Sequence, residues 1–276
     1  MSRRHQRDHV SVWAVIAIVT MVLVTVSSII GIGWFYLNEG EYDKVTGCRL
    51  EQNQKIAPSQ LVVLMDVTDK LDEDVAERVR GYLQEAIQEQ PEGALIELYA
   101  LDERISNYDR SFLHCVPRKP NEANKFTDNI DLVTQEFERT FKGKLDATIQ
   151  RLTSMNSPRD RSPLCEMIKA VTIKSFATKN DIKITGSRRL IIVSDFMQHF
   201  PGKFSMYDKK NPDRYNYKKF AHSSYGSALI LDSSNENLRG LNVDLWYTNT
   251  MTSGNVRFWE DYFYEVHALV NHATRK

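Results

Sequence analysis

Two aspartates stand where apolar runs stop. Asp66 closes Leu61-Val62-Val63-Leu64-Met65, and Asp195 closes Leu190-Ile191-Ile192-Val193-Ser194. Runs without alternation predict strands buried on both faces. In open parallel sheets, ligands bind outside the carboxyl ends of the strands, where both carboxylates would sit. Ser162, followed by Pro163, adds a hydroxyl at the start of a predicted helix: serine suits the N-cap and proline the first helical position. Carboxylates and hydroxyls gathered on one edge are hard oxygen ligands of the kind Mg2+ or Mn2+ takes. The same groups also cap loop amides and helix ends, so ligation and capping both remain open.

The elements that would position these groups follow from periodicity. After Asp66, Asp69 suits a helix cap, with Asp72, Glu73 and Asp74 favoured in the first turn. Leu71, Val75, Val79, Leu83 and Ile87 recur at four-residue steps and form that helix's buried stripe. Leu95 to Leu101 reads as a second strand, completing a strand-helix-strand unit. Phe126, Ile130, Val133, Phe137, Phe141, Leu145, Ile149 and Leu152 predict one long helix, or two if Gly143 breaks it. Leu164, Ile168 and Val171 face inward from the helix after Pro163. Leu241 to Tyr247 alternates and predicts a half-exposed strand near an edge, and Phe258 to Tyr264 an aromatic closing helix. Strands alternating with helices predict a doubly wound, mainly parallel α/β sheet with helices on both faces.

Composition narrows the class. The 276 residues carry 36 basic and 36 acidic side chains, 42% hydrophobic and 26% charged residues. That excludes a disordered, collagen-like or disulfide-dense chain, and zero net charge gives no global pull toward nucleic acid or anionic lipid. The mean hydropathy of −0.43 hides an uncharged stretch of 28 residues from Val10 to Leu37. Its length predicts a transmembrane helix, with Trp13 and Trp34-Phe35-Tyr36 at its two ends. Arg3, Arg4 and Arg7 before it, and Glu39, Glu41 and Asp43 after it, predict a cytoplasmic N-terminus. A cleaved signal peptide fits less well, because no small-x-small site closes a short apolar stretch. The expected organisation is a cytoplasmic segment 1–9, a transmembrane helix 10–37, a polar juxtamembrane linker 38–59 and an α/β domain 60–276. The expected location is a single-pass cell (inner) membrane with the N-terminus cytoplasmic and the domain extracytoplasmic, in a bacterial periplasm or another such space.

Cys48, Cys115 and Cys165 make no CxxC pair, which argues against a zinc ribbon or a thioredoxin-type site. Three cysteines allow three single bridges. Cys48 with Cys115 is one of them, and Cys165, within a predicted helix, reads as a small buried hydrophobe.

In their order along the chain, these strand-end motifs resemble von Willebrand factor A-like (integrin I-like) domains. Asp66-Val67-Thr68-Asp69-Lys70 stands where that family has DxSxS. Ser162 is similar to its middle hydroxyl position and Asp195 to its final aspartate. The resemblance covers about residues 60–270 and implies that Asp66, Thr68, Ser162 and Asp195 hold a divalent Mg2+ or Mn2+ ion with an open position for a partner's carboxylate. Lys70 replaces the last serine of the motif. An ammonium about 4 Å from a divalent ion would be repelled by roughly 8 kcal/mol at an effective dielectric of 20. Lys70 therefore either swings to solvent or takes the ion's place beside Asp66 and Asp195.

The function this implies is a membrane-anchored protein-interaction or assembly module, not an enzyme. Its partners would be proteins of a membrane-associated complex, with no nucleic acid. The alternative is a haloacid dehalogenase-type phosphohydrolase with Asp66 as nucleophile, but Thr68 stands where its acid-base aspartate should be. No GxSxG, Walker A or GxGxxG is present. From Tyr207 to Tyr225, basic residues interleave with aromatics. Such a stretch reads as a strand-edge loop, a single-strand binder or, since it follows Asp195, the rim of a protein-binding surface.

Overall fold

The computed structural model describes residues 12–37, 41–68, 70–101, 110–123, 128–155, 160–177 and 181–273. The chain divides into two compact units after Glu41. In the first, α1 (Val12–Leu37) is a 26-residue helix with no charged residue in its terminal turns. Trp13, Met21 and Ile29 on it are exposed. The expectation of a transmembrane helix is corrected here: among the described residues no helix is long and apolar enough to cross a membrane. The single-pass inner-membrane location, with a cytoplasmic N-terminus and a periplasmic domain, rested on that span and is likewise not supported. The arginines before the span lie outside the described residues.

The second unit begins where a polar linker was expected. Residues 41–57 instead form β1 (Glu41–Tyr42), β2 (Arg49–Glu51) and β3 (Gln54–Ala57). Then follow β4 (Gln60–Asp66), α2 (Glu73–Gln88), β5 (Leu95–Leu101) and β6 (Arg110–Cys115). The long aromatic-aliphatic stripe becomes α3 (Ile130–Phe137) and α4 (Gly143–Ser154), joined by a π-helical turn over 138–142. Gly143 therefore follows the irregularity and starts the next helix instead of ending one. Phe126, the first residue of the expected stripe, lies outside the described residues. The remaining elements are α5 (Leu164–Ser175), β7 (Ile182–Ile184), β8 (Arg188–Ser194), β9 (His199–Phe200), β10 (Phe204–Ser205), α6 (Tyr217–Ala221), β11 (Asn242–Tyr247), α7 (Ser253–Tyr264) and β12 (Leu269–Ala273).

Six strands form the main sheet in the order β12-β11-β8-β4-β5-β6. All neighbouring pairs are parallel except β5 with β6. β4 is buried at every position, as its unbroken apolar run requires. Its side chains alternate between two cores. Val62 and Leu64 pack with Leu164 and Ile168 of α5 and Trp259 and Phe263 of α7. Leu61, Val63 and Met65 pack with Val79 and Leu83 of α2 and Leu145 and Ile149 of α4. The alternating strand expected near an edge, β11, is interior, between β8 and β12. Its polar Asp244 is buried, but accepts from Arg189 Nε at 2.5 Å and from Asn271 Nδ2 at 3.0 Å. An ion pair thus hid a buried face behind a polar residue.

Cys48 and Cys115, 67 residues apart, are disulfide-bonded, which ties the β1–β2 segment to the end of β6. Cys165 is free and buried, and burial pushes its thiol well above the usual range, so it is no nucleophile. Beside the bridge, the His114 ring packs edge-on against Phe141 at 5.8 Å between centroids. Gly47, at φ +67°, lies against that ring, where a Cβ would overlap it. Burial lowers the His114 pKa below its ordinary 6.5, with the Cys115 carbonyl at 2.6 Å pulling weakly the other way.

Two expectations follow. Replacing both Cys48 and Cys115 by alanine should destabilise the unit by about 4 kcal/mol, from the loop the bridge closes, as read by urea unfolding. An imidazole that is harder to protonate when folded makes the unfolded state the better proton binder. Stability should therefore fall as pH drops through 6.5 and level off below the folded value of His114. In His114→Phe that part of the pH dependence should vanish.

Candidate functional site

β4 and β8 are adjacent parallel strands, so their ends bring Asp66 and the Ser194-Asp195 pair to one sheet edge. Asp66 is 7% exposed. Its Oδ1 accepts from the Thr68 amide at 3.0 Å and the Thr68 hydroxyl at 2.6 Å. Its Oδ2 accepts from Ser194 Oγ at 2.8 Å, and Ser194 Oγ accepts in turn from the Phe196 amide at 3.0 Å. Asp195 is half-buried and accepts from the Met197 amide at 2.9 Å and the Tyr207 hydroxyl at 2.7 Å. Both carboxylates thus organise the turns that follow their strands.

The turn after Asp195 is strained and clamped. Phe196, fully buried, has φ +59°, a conformation that L-residues with a Cβ avoid. Its carbonyl accepts from Asn255 Nδ2 at 2.7 Å and Trp259 Nε1 at 3.0 Å, both on α7. Its ring lies 4.2 Å from that of Tyr247 and edge-on to Trp259. Burial of a large ring and two donors on one carbonyl offset about 1–2 kcal/mol of backbone strain.

Ser162 does not cap α5. That helix starts at Leu164 with Pro163 at the cap and no side-chain cap bond. Ser162 instead exchanges two backbone hydrogen bonds of 2.9 Å with His199. This bridge brings the start of α5 to the same edge, and Ser162 Oγ lies buried there without a hydrogen-bond partner. Lys70 is exposed, so of its two expected positions it takes the one in solvent. Asp69, the expected cap of α2, lies outside the described residues; Asp72 occupies the cap position without a side-chain bond.

The four predicted ligands therefore share one edge of the sheet. Among them the direct contact is Thr68 on Asp66, and the Thr68 hydroxyl hydrogen points at a carboxylate oxygen already. Among the described residues no group of three or more His, Cys, Asp or Glu could hold a metal ion. Asp66 and Asp195 spend their oxygens on hydroxyl and amide donors, an arrangement that suits capping better than ligation.

Beyond Asp195 the chain makes a long excursion to β11, and its aromatics other than Tyr207 are buried or half-buried. Tyr217 and Phe220 of α6 are buried against Phe258 and Phe204. Gln198, fully buried, donates to Glu166 Oε2 at 3.0 Å and to Tyr225 OH at 2.9 Å, while its Oε1 accepts from the Cys165 amide at 2.8 Å. Tyr225 closes the network by donating to Glu166, and burial with that carboxylate pushes its phenol far up. Lys203 Nζ sits 4.6 Å above the Phe200 ring. Lys209, Lys210, Lys218 and Lys219 are exposed on this framework, and Lys219 pairs with Asp213 at 2.6 Å.

The residues that build the edge and were not foreseen are Ser194, Phe196, Tyr207, Asn255 and Trp259. Ser194 directly precedes Asp195, yet a serine inside an apolar run carries no signal of a bond across to Asp66. No family model matches the chain, and no curated protein matches it. The resemblance to von Willebrand factor A-like domains is therefore not supported.

Ser194→Ala should take a donor from Asp66 Oδ2 and the acceptor of the Phe196 amide together, and should cost about 2–3 kcal/mol in urea unfolding. Ser205→Ala, whose hydroxyl meets the His199 ring and the Tyr207 amide on a half-exposed hairpin, should cost about 1 kcal/mol or less.

Proposed function

We propose that the second unit is a protein-interaction module, not an enzyme, and that it binds an acidic protein segment on the excursion after Asp195. The observation that supports this reading is a concentration of positive charge on a rigid base. From Lys203 to Lys219 the sequence carries six basic residues and two acidic ones, on a framework of buried rings. Charge presented by fixed backbone costs little ordering on binding and steers an oppositely charged partner.

The same stretch favours a protein over single-stranded nucleic acid. A nucleic-acid platform offers ring faces for bases to stack on. Here Tyr217 and Phe220 are 4% and 2% exposed, and Tyr215 lies under the Arg214 guanidinium, 4.9 Å away. Tyr207, at 48% exposure, is the large aromatic left open on this stretch, and its hydroxyl is held by Asp195. Binding in this mode needs no metal: Asp66 and Asp195 support the excursion from beneath. The phosphohydrolase reading has less support, since Asp66 is buried and both its oxygens accept hydrogen bonds, which blunts a nucleophile.

A polyglutamate peptide of about ten residues, titrated into the full chain, tests the proposal. Binding should weaken at least about fivefold between roughly 50 and 300 mM salt, and should persist with chelator present. The double variant Lys209→Glu, Lys210→Glu should lose about tenfold or more in affinity with unchanged unfolding. Binding that ignores the charge reversal, or a tighter complex with oligothymidylate, would overturn the reading.

A further inference from the structure

The opposite edge of the main sheet holds a cavity of about 340 Å3, at the lower end of small-molecule sites. It is lined by Gln60 at the start of β4, Arg188 at the start of β8, Lys183 of β7, Asn237, and the chain after α5 at Ser175 and Phe176. No acidic side chain is among these lining residues. Gln60 and Arg188 are register partners on adjacent strands, so their side chains leave the same face of the sheet.

Two features of this cavity are incomplete. Gln60 is 1% exposed and its amide orientation is fixed, because Nε2 donates to Glu97 Oε1 at 2.7 Å and to the Ser175 carbonyl at 2.9 Å. Both hydrogens are used on acceptors, and Oε1 is left buried with no donor. A buried acceptor without a partner is destabilising, and a donor that reaches it recovers that loss. Arg188 is the second feature. Its half-buried guanidinium has no carboxylate partner among the described residues and meets the Ile184 carbonyl at 3.5 Å. Its neighbour Arg189, by contrast, is paired with Asp244 and Glu89. Burial disfavours the Arg188 charge, and no carboxylate among the described residues offsets that cost. Lys183 adds a second, exposed cation at the rim.

A group that completes both must be anionic toward Arg188 and a neutral donor toward Gln60, since an ammonium would meet two cations. We propose that this cavity binds a small hydroxylated organic acid. A carboxylate takes the Arg188 fork, a second carboxylate where present takes Lys183, and the hydroxyl donates to Gln60 Oε1. Arg188 supplies planar, two-point recognition that a lysine does not reproduce. The cavity lies at the amino ends of the strands, away from the excursion that follows Asp195, so the two proposals stand or fall separately.

Calorimetry on the full chain with L-malate and with succinate, which lacks only the hydroxyl, tests the assignment. L-malate should bind, succinate about tenfold more weakly, and Arg188→Gln should weaken L-malate by tenfold or more. Lys183→Gln, at an exposed site that leaves folding intact, should weaken it severalfold. In both variants polyglutamate binding should be unchanged. No heat with L-malate, equal affinity for succinate, or binding unaffected by Arg188→Gln and Lys183→Gln would overturn the proposal. So would inorganic phosphate binding where L-malate does not.

Discussion

The carboxyl edge of this domain depends on one hydrogen bond, from Ser194 Oγ to Asp66 Oδ2. It joins the last turns of β4 and β8, the two central strands, at the point where ladder hydrogen bonding stops. On the Asp66 side it leaves Oδ1 free to hold the Thr68 amide and hydroxyl. On the other side the same serine oxygen accepts the Phe196 amide and sets the turn that sends the chain outward. A single buried carboxylate thus replaces, with directed donors, the pairing that the sheet no longer supplies.

From that turn the excursion inherits its rigidity. Phe196 accepts an unfavourable φ because its ring is enclosed by Tyr247 and Trp259 and its carbonyl is held from α7. The rings that follow, Phe204, Tyr217 and Phe220, extend the same core outward. Lysines on such a base are exposed without being loosely tethered, and this is the physical content of the interaction reading. At the other end of the sheet the buried Glu97 is satisfied by Gln60, Tyr99, Ser175 and Arg110. Satisfying that charge consumes both amide hydrogens of Gln60 and leaves its oxygen without a donor.

The strands were legible because a strand buried on both faces must be apolar throughout: Leu61 to Met65 and Leu190 to Val193 stand out from their surroundings. Helices α2 and α4 were legible from four-residue steps. Other elements hid behind locally polar residues. Asp244 made β11 look half-exposed, because its partners Arg189 and Asn271 come from neighbouring strands. The three short strands of 41–57 have no periodicity to detect and are held by the Cys48–Cys115 bridge and by pairing with β7. The uncharged stretch around α1 was legible as a helix, but the membrane span drawn from it was not upheld. At the site, residue types placed Asp66, Asp195 and Ser162 on one edge. They did not say that the carboxylates would be committed to Thr68, Ser194, Tyr207 and backbone amides, since a motif spells out neighbours in sequence and not donors from other strands.

The central claim is that Asp66 and Asp195 are structural acceptors that support the excursion. Titrating Mg2+ and Mn2+ into the full chain by calorimetry, beside Asp66→Asn, tests it most directly. The account predicts no saturable heat at millimolar metal for either protein, together with a lower unfolding midpoint for Asp66→Asn. Binding of about one ion per chain that Asp66→Asn abolishes would contradict it.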